Sequence, residues 1–143
     1  MKKLFIVILM GVWMPALVSA QMVNELHKTA LECYELKDYA CAQIYLQDLV
    51  KLEKDPEKLA GYCLMLGTIF SESGEVKEAF KNFKVAIKKN PQLVEAWIKR
   101  GILYSNEGNA RKALSDFEQA LEIDPENELA LSQRAQLLAE NTY

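Results

Sequence analysis

Beyond residue 20 the chain alternates charged and apolar residues at helical spacing, and the pattern recurs after an offset of 34 residues. Leu66-Gly67-x-x-Phe70 falls on Arg100-Gly101-x-x-Tyr104, Gly74 on Gly108, and Pro91 on Pro125. Ala79-x-x-x-Phe83-x-x-Ala86 likewise falls on Ala113-x-x-x-Phe117-x-x-Ala120. Each block predicts two helices joined by a turn at Gly74 or Gly108, where a residue free to take positive φ is needed. Pro91 and Pro125 end the second helix, because proline has no N–H to continue the backbone ladder. Gly67 and Ala79, like Gly101 and Ala113, are small residues that the hairpin brings face to face, so the two helices can approach closely. Phe70 and Phe83, or Tyr104 and Phe117, fill the space above and below that contact.

The first twenty residues break this pattern. Lys2 and Lys3 open a stretch whose residues 4–18 carry no charge: an apolar run from Leu4 to about residue 12, then Pro15 and the small residues Val18-Ser19-Ala20. This is the order of a secretory signal peptide, with cleavage expected between Ala20 and Gln21. The competing reading is an uncleaved anchor, since the apolar stretch approaches the length that spans a bilayer. No cysteine stands at the end of the run, so lipid attachment is not supported.

The 143 residues carry 17 basic and 20 acidic side chains. Removing residues 1–20 takes two lysines and no acid, leaving 15 against 20 and moving the net charge from −3 to −5. An acidic surface argues against a nucleic-acid partner and against docking on anionic lipid.

The repeated residues resemble the tetratricopeptide-repeat family, whose 34-residue pattern runs W-x2-L-G-x2-Y, A-x3-F-x2-A, P. Residues 94–127 carry Trp97, Gly101, Tyr104, Ala113, Phe117, Ala120 and Pro125, and depart at Arg100, where the pattern has leucine. Residues 60–93 carry Leu66, Gly67, Ala79, Phe83, Ala86 and Pro91, with Phe70 for tyrosine and Cys63 for tryptophan. Lys37-Asp38-Tyr39 with Ala42, Leu46 and Leu49 reads as the turn and second helix of a degenerate repeat over residues 23–59, and Asp55-Pro56 as its late end. Residues 128–143 supply a capping helix and tail, with Leu131, Ala135 and Leu138 on one face. The resemblance implies an all-α solenoid: three helical hairpins plus a C-terminal cap, stacked in a right-handed superhelix.

In this family the first helix of each hairpin lines a concave groove. Carried over, that places His27, Leu31 and Tyr34 from repeat one, Leu64, Met65 and Thr68 from repeat two, and Ile98, Lys99 and Ile102 from repeat three on the groove. Leu31, Leu64, Met65, Ile98 and Ile102 form an apolar stripe suited to an amphipathic helix or extended segment of a partner. The same residues also suit packing against neighbouring helices. The family's clamp for the tails of cytosolic chaperones needs lysine, asparagine, asparagine, lysine and arginine where this chain has His27, Leu31, Met65, Glu95 and Lys99, so that activity is not implied. Arg100 has two readings: its methylene stem lies along the core with the guanidinium outward, or it holds a partner's carboxylate. Trp97, at the fourth position of its helix, reads as a residue packed between helices.

Cys33, Cys41 and Cys63 all lie after residue 20, where an oxidising compartment permits a disulfide. Sel1-like repeat proteins, relatives of this family, staple helix pairs at a spacing similar to that of Cys33 and Cys41. Cys63 then stays a buried thiol or pairs with another chain. His27 is the single histidine, and no metal-ligand spacing, Cys-His pair or glycine-rich phosphate loop is present, so neither enzyme, metal nor cofactor is expected. Nor is a small-molecule substrate. The expected protein is an exported, periplasmic or secreted adaptor, an assembly factor for an envelope complex that binds another protein. Membrane contact arises only if the signal segment is retained. The alternative is a periplasmic holding chaperone for secreted subunits.

Overall fold

The structure, a computed structural model, describes residues 20–140. The signal segment expected over residues 1–20 lies outside these residues except for Ala20, and the tail 141–143 lies outside them too. The described residues form seven helices and no strand. α1 covers residues 20–35 of the described chain, followed by α2 (Tyr39–Leu52), α3 (Pro56–Glu72), α4 (Val76–Lys89), α5 (Val94–Asn106), α6 (Ala110–Ile123) and α7 (Glu128–Glu140). No helix among them is long and apolar enough to cross a membrane. The described residues divide into two compact units, the first ending at Leu52 and the second beginning at Glu53.

In the first unit, α1 and α2 are joined by a turn in which the Asp38 N–H donates to the Cys33 carbonyl at 2.9 Å and the Lys37 N–H to that of Tyr34 at 3.0 Å. Lys37 holds a φ of 58° there, a conformation glycine would take at less cost. The Asp38 carboxylate caps α2 by accepting the Cys41 N–H at 3.1 Å.

The second unit repeats the same turn twice with glycine in the demanding position. Gly74 and Gly108 have φ of 78° and 73°. After each, the next N–H reaches back five residues, from Glu75 to Phe70 and from Asn109 to Tyr104, both at 2.8 Å. This satisfies helix-end carbonyls that would otherwise lack a partner. The antiparallel hairpins α3–α4 and α5–α6 that result bring a glycine against a phenylalanine. A Cβ placed on Gly67 would lie 2.6 Å from the Phe83 ring, and one on Gly101 would lie 2.6 Å from that of Phe117. Both rings are fully buried, so neither has room to retreat. α5 packs against α4 and α3, and α7 against α6 and α5.

Two expectations are corrected. Pro56 opens α3 instead of closing the preceding repeat: Asp55 caps the helix by accepting the N–H groups of Glu57 and Lys58 at 2.9 and 3.2 Å. A proline at the first helical position forgoes only a donor that has no partner there. The boundary at residue 60 therefore falls one turn inside α3. In α7, Ala130 and Leu137 are the buried residues, joining a core with Ile98, Ala113, Phe117 and Ala120. Leu131 and Leu138, expected on the packing face with Ala135, are 38% and 50% exposed. Apolar residues recur on more than one side of this helix, so periodicity alone does not pick out the side that packs.

The glycine contacts yield a paired prediction. Gly61, on the same helix α3, has nothing within 4 Å of the position a methyl group would take, so Gly61→Ala should raise stability by about 0.5–1 kcal/mol through helix propensity. Gly67→Ala gains the same propensity but overpacks Phe83, at a cost of about 1–3 kcal/mol, and should lower stability. Thermal melts followed by circular dichroism compare the two; equal shifts would show that the Gly67–Phe83 contact sets nothing.

Candidate partner-binding surface

The expected groove residues fall in both units. His27, Leu31 and Tyr34 are half-buried on α1, and the Tyr34 ring lies 6.1 Å from that of Tyr39. The other six sit on α3 and α5, which touch one another within the second unit. There the burial differs sharply. Leu64 and Thr68 are each only 8% exposed, and the Thr68 hydroxyl donates to the Leu64 carbonyl at 3.1 Å. Ile98 is 3% exposed and belongs to the core between α5, α6 and α7, so it is not available as a surface contact. Met65, Lys99 and Ile102 remain half-buried. The accessible part of the predicted stripe in this unit is thus a thioether, an isoleucine and an ammonium on neighbouring helices, flanked by exposed Glu72, Glu95 and Asn106.

The residue of two readings, Arg100, makes an interaction that pattern alone does not reveal. Its Nε and Nη2 donate to the two carboxylate oxygens of Asp116 at 2.8 and 2.7 Å. The side chains are 17% and 5% exposed, so this is a largely desolvated, bidentate pair. Arg100 also lies over Trp97 at 5.1 Å and Tyr104 at 5.8 Å. Donating to the Asp116 carboxylate raises the guanidinium pKa above its ordinary value, against the opposing effect of burial. The guanidinium therefore faces inward and is committed within the hairpin. Trp97 is half-buried and donates its indole N–H to the Pro91 carbonyl at 2.9 Å, tying α5 to the turn before it. A signal for the pair exists in hindsight: Arg100 and Asp116 are separated by the same sixteen residues as Gly101 and Phe117.

Cys33 and Cys41 are disulfide-bonded with their Cα atoms 5.8 Å apart, across the turn from α1 to α2. Cys63 is a free thiol, 2% exposed. Burial pushes its pKa up to about 11, with the Lys89 ammonium pulling weakly the other way. Among the described residues no group of three or more histidine, cysteine, aspartate or glutamate side chains is placed to hold a metal ion.

The hairpins, their glycine turns and the ring-on-glycine contacts define a scaffold of helical repeats. Residues 94–127 match the tetratricopeptide-repeat family. No curated protein sequence matches the chain. Among solved structures, the fold is similar to an Arabidopsis OM64 tetratricopeptide domain, at 20% identity and a TM-score of 0.73, over 82% of this chain and 94% of that one. It is also similar to a tetratricopeptide repeat protein from Parabacteroides merdae, at 25% identity and a TM-score of 0.75, over 84% of this chain and 47% of that one. A third likeness is the first such domain of Spaghetti (RPAP3), solved with an HSP90 peptide, at 17% identity and a TM-score of 0.74, over 84% and 93% of the two chains.

The Arg100–Asp116 pair predicts strong non-additivity. Arg100→Leu alone leaves a buried carboxylate unpaired and should cost about 3–5 kcal/mol in urea unfolding. Arg100→Leu with Asp116→Leu removes both charges and should recover most of that loss; a double variant no more stable than the single would refute the buried-pair description. For the cysteines, iodoacetamide at pH 8 should label no thiol in the native, unreduced chain. One should react in denaturant and three after reduction, and native labelling should accelerate only as pH rises toward 11.

Proposed function

We propose that the protein is an exported adaptor that binds a segment of another protein across α3 and α5, serving as an assembly factor for an envelope complex. The observation that carries this reading is the retention of Met65 and Ile102 as partly open apolar groups beside Lys99, on the first helices of adjacent hairpins. A partner helix or extended segment with an apolar residue and a carboxylate matches them. The similar fold of the Spaghetti domain, solved with a peptide bound, supports peptide capture as the mode of action. Binding, not catalysis, is the activity proposed.

Two features support export. Residues 1–20 have the charge, length and small-residue order of a signal peptide. The Cys33–Cys41 disulfide fits an oxidising compartment such as the periplasm.

A photoreactive amino acid placed at Met65, at Ile102 and, as a control, at exposed Lys84 on α4 tests the proposal in intact cells. One dominant protein should crosslink at 65 and 102 and not at 84. Met65→Asp with Lys99→Glu should abolish that product while leaving the melting temperature unchanged. Crosslinks to many unrelated proteins would turn the reading to a holding chaperone, and no position-dependent product would overturn surface binding altogether.

A further inference from the structure

Lys77, Lys81, Lys84 and Lys88 recur on α4 at intervals of four, three and four residues, which sets them within about 60° of arc on one side of the helix. All four are exposed. With Lys89 and Glu78 counted, α4 carries a net charge of +4, whereas residues 21–143 as a whole carry −5. The stripe is not a property of the repeat, since the positions 34 residues on are Arg111, Ser115, Glu118 and Glu122 of α6. Nor does it serve the helix. The helix dipole favours Lys88 in the last turn but opposes a cation at Lys77 in the first, and like charges three or four residues apart repel. Glu78 pairs with Lys81 at 3.2 Å, while Lys77, Lys84 and Lys88 form no ion pair among the described residues. Glu75, just before α4, accepts the Ser73 hydroxyl at 3.0 Å. From the next hairpin Lys112 adds a further cation: its ammonium lies 5.3 Å over the Tyr104 ring, which packs at 4.5 Å on Phe80 of α4.

We propose that the lysine stripe of α4 is a docking surface for an acidic helix of a partner protein, with carboxylates along one face at the same three- and four-residue intervals. Charge complementarity selects an anionic occupant, which also relieves the repulsion that the lysines impose on their own helix. The shape of the charge distribution selects its class. The stripe is one helix wide and about 16 Å long, dimensions that a second helix matches along its length. A flat anionic surface laid on α4 would instead bring its charge toward Glu118 and Glu122, which hold on α6 the places of Lys84 and Lys88. Those two carboxylates therefore disfavour a broad occupant and leave a narrow one unaffected. The stripe lies on a second helix, whereas Met65 and Ile102 lie on first helices, so this is a separate site with a partner of its own.

The probe is a fluorescein-labelled, end-blocked alanine-based peptide of about 16 residues with glutamates on one helical face at these intervals. Its control has the same composition with the glutamates spread around the helix. Titrated against the full chain by anisotropy at low ionic strength, where such pairs are least screened, the first should bind saturably and about tenfold or more tighter than the second. Lys77→Gln with Lys84→Gln should abolish the difference and raise the melting temperature of the free chain, because charges that repel one another are removed. Lys28→Gln with Lys51→Gln, which takes the same charge from the first unit, should leave the difference intact. Equal affinity for the two peptides, no saturable binding, or a lower melting temperature on removing Lys77 and Lys84 overturns the proposal. So does Lys84-dependent binding to phosphatidylglycerol vesicles in preference to the peptide, which assigns the stripe to lipid, or a Lys84-dependent dimer in sedimentation, which assigns it to a second copy.

Discussion

The second unit depends on one contact made twice, a phenylalanine ring laid on a helix backbone that has no side chain to hold it off. Phe83 on Gly67 and Phe117 on Gly101 bring the two helices of each hairpin closer than a methyl group would permit. That separation is usable only if the turn between the helices closes in a fixed number of residues, which is why Gly74 and Gly108 both sit at positive φ with the same backward hydrogen bond after them. With the ring in place, Ala79 and Ala86, or Ala113 and Ala120, are the residues that fit beside it, all fully buried. Dispersion and apolar burial then accumulate around a geometry that glycine alone made accessible. The Arg100–Asp116 pair follows from the same constraint, since each partner stands one residue before a member of the glycine–phenylalanine contact.

The parts of this architecture legible in the sequence are those where a backbone or steric requirement leaves one residue type able to meet it. Gly67, Gly74, Gly101 and Gly108 announce close approach and positive φ, and their spacing gives the hairpins. Lys37 meets the same turn geometry without glycine, so the first turn is faint in the sequence although its hydrogen bonds match the other two. Pro56 misleads because proline is equally at home just after a helix and at its first position. The candidate surface was legible only in part. Ile98 and Ile102 are four residues apart on one helix, yet one is core and the other half-open, a difference that periodicity does not resolve. Arg100 at a leucine position reads as a snorkelling side chain until Asp116 is found sixteen residues on, because a lone charge in the pattern does not say whether its partner is water or a carboxylate.

A first helix in such a stack has two sides to cover, one toward the hairpin before it and one toward its own second helix. α3 and α5 have a second helix, α4 and α6, against the forward side, and the nine buried residues of α3 contrast with the two of α7, Ala130 and Leu137. Burial per helix therefore declines along the second unit, and local opening should be easiest at α7. Arginine at position 100 is neutralised and desolvated by Asp116, so its charge contributes to the uniqueness of the hairpin.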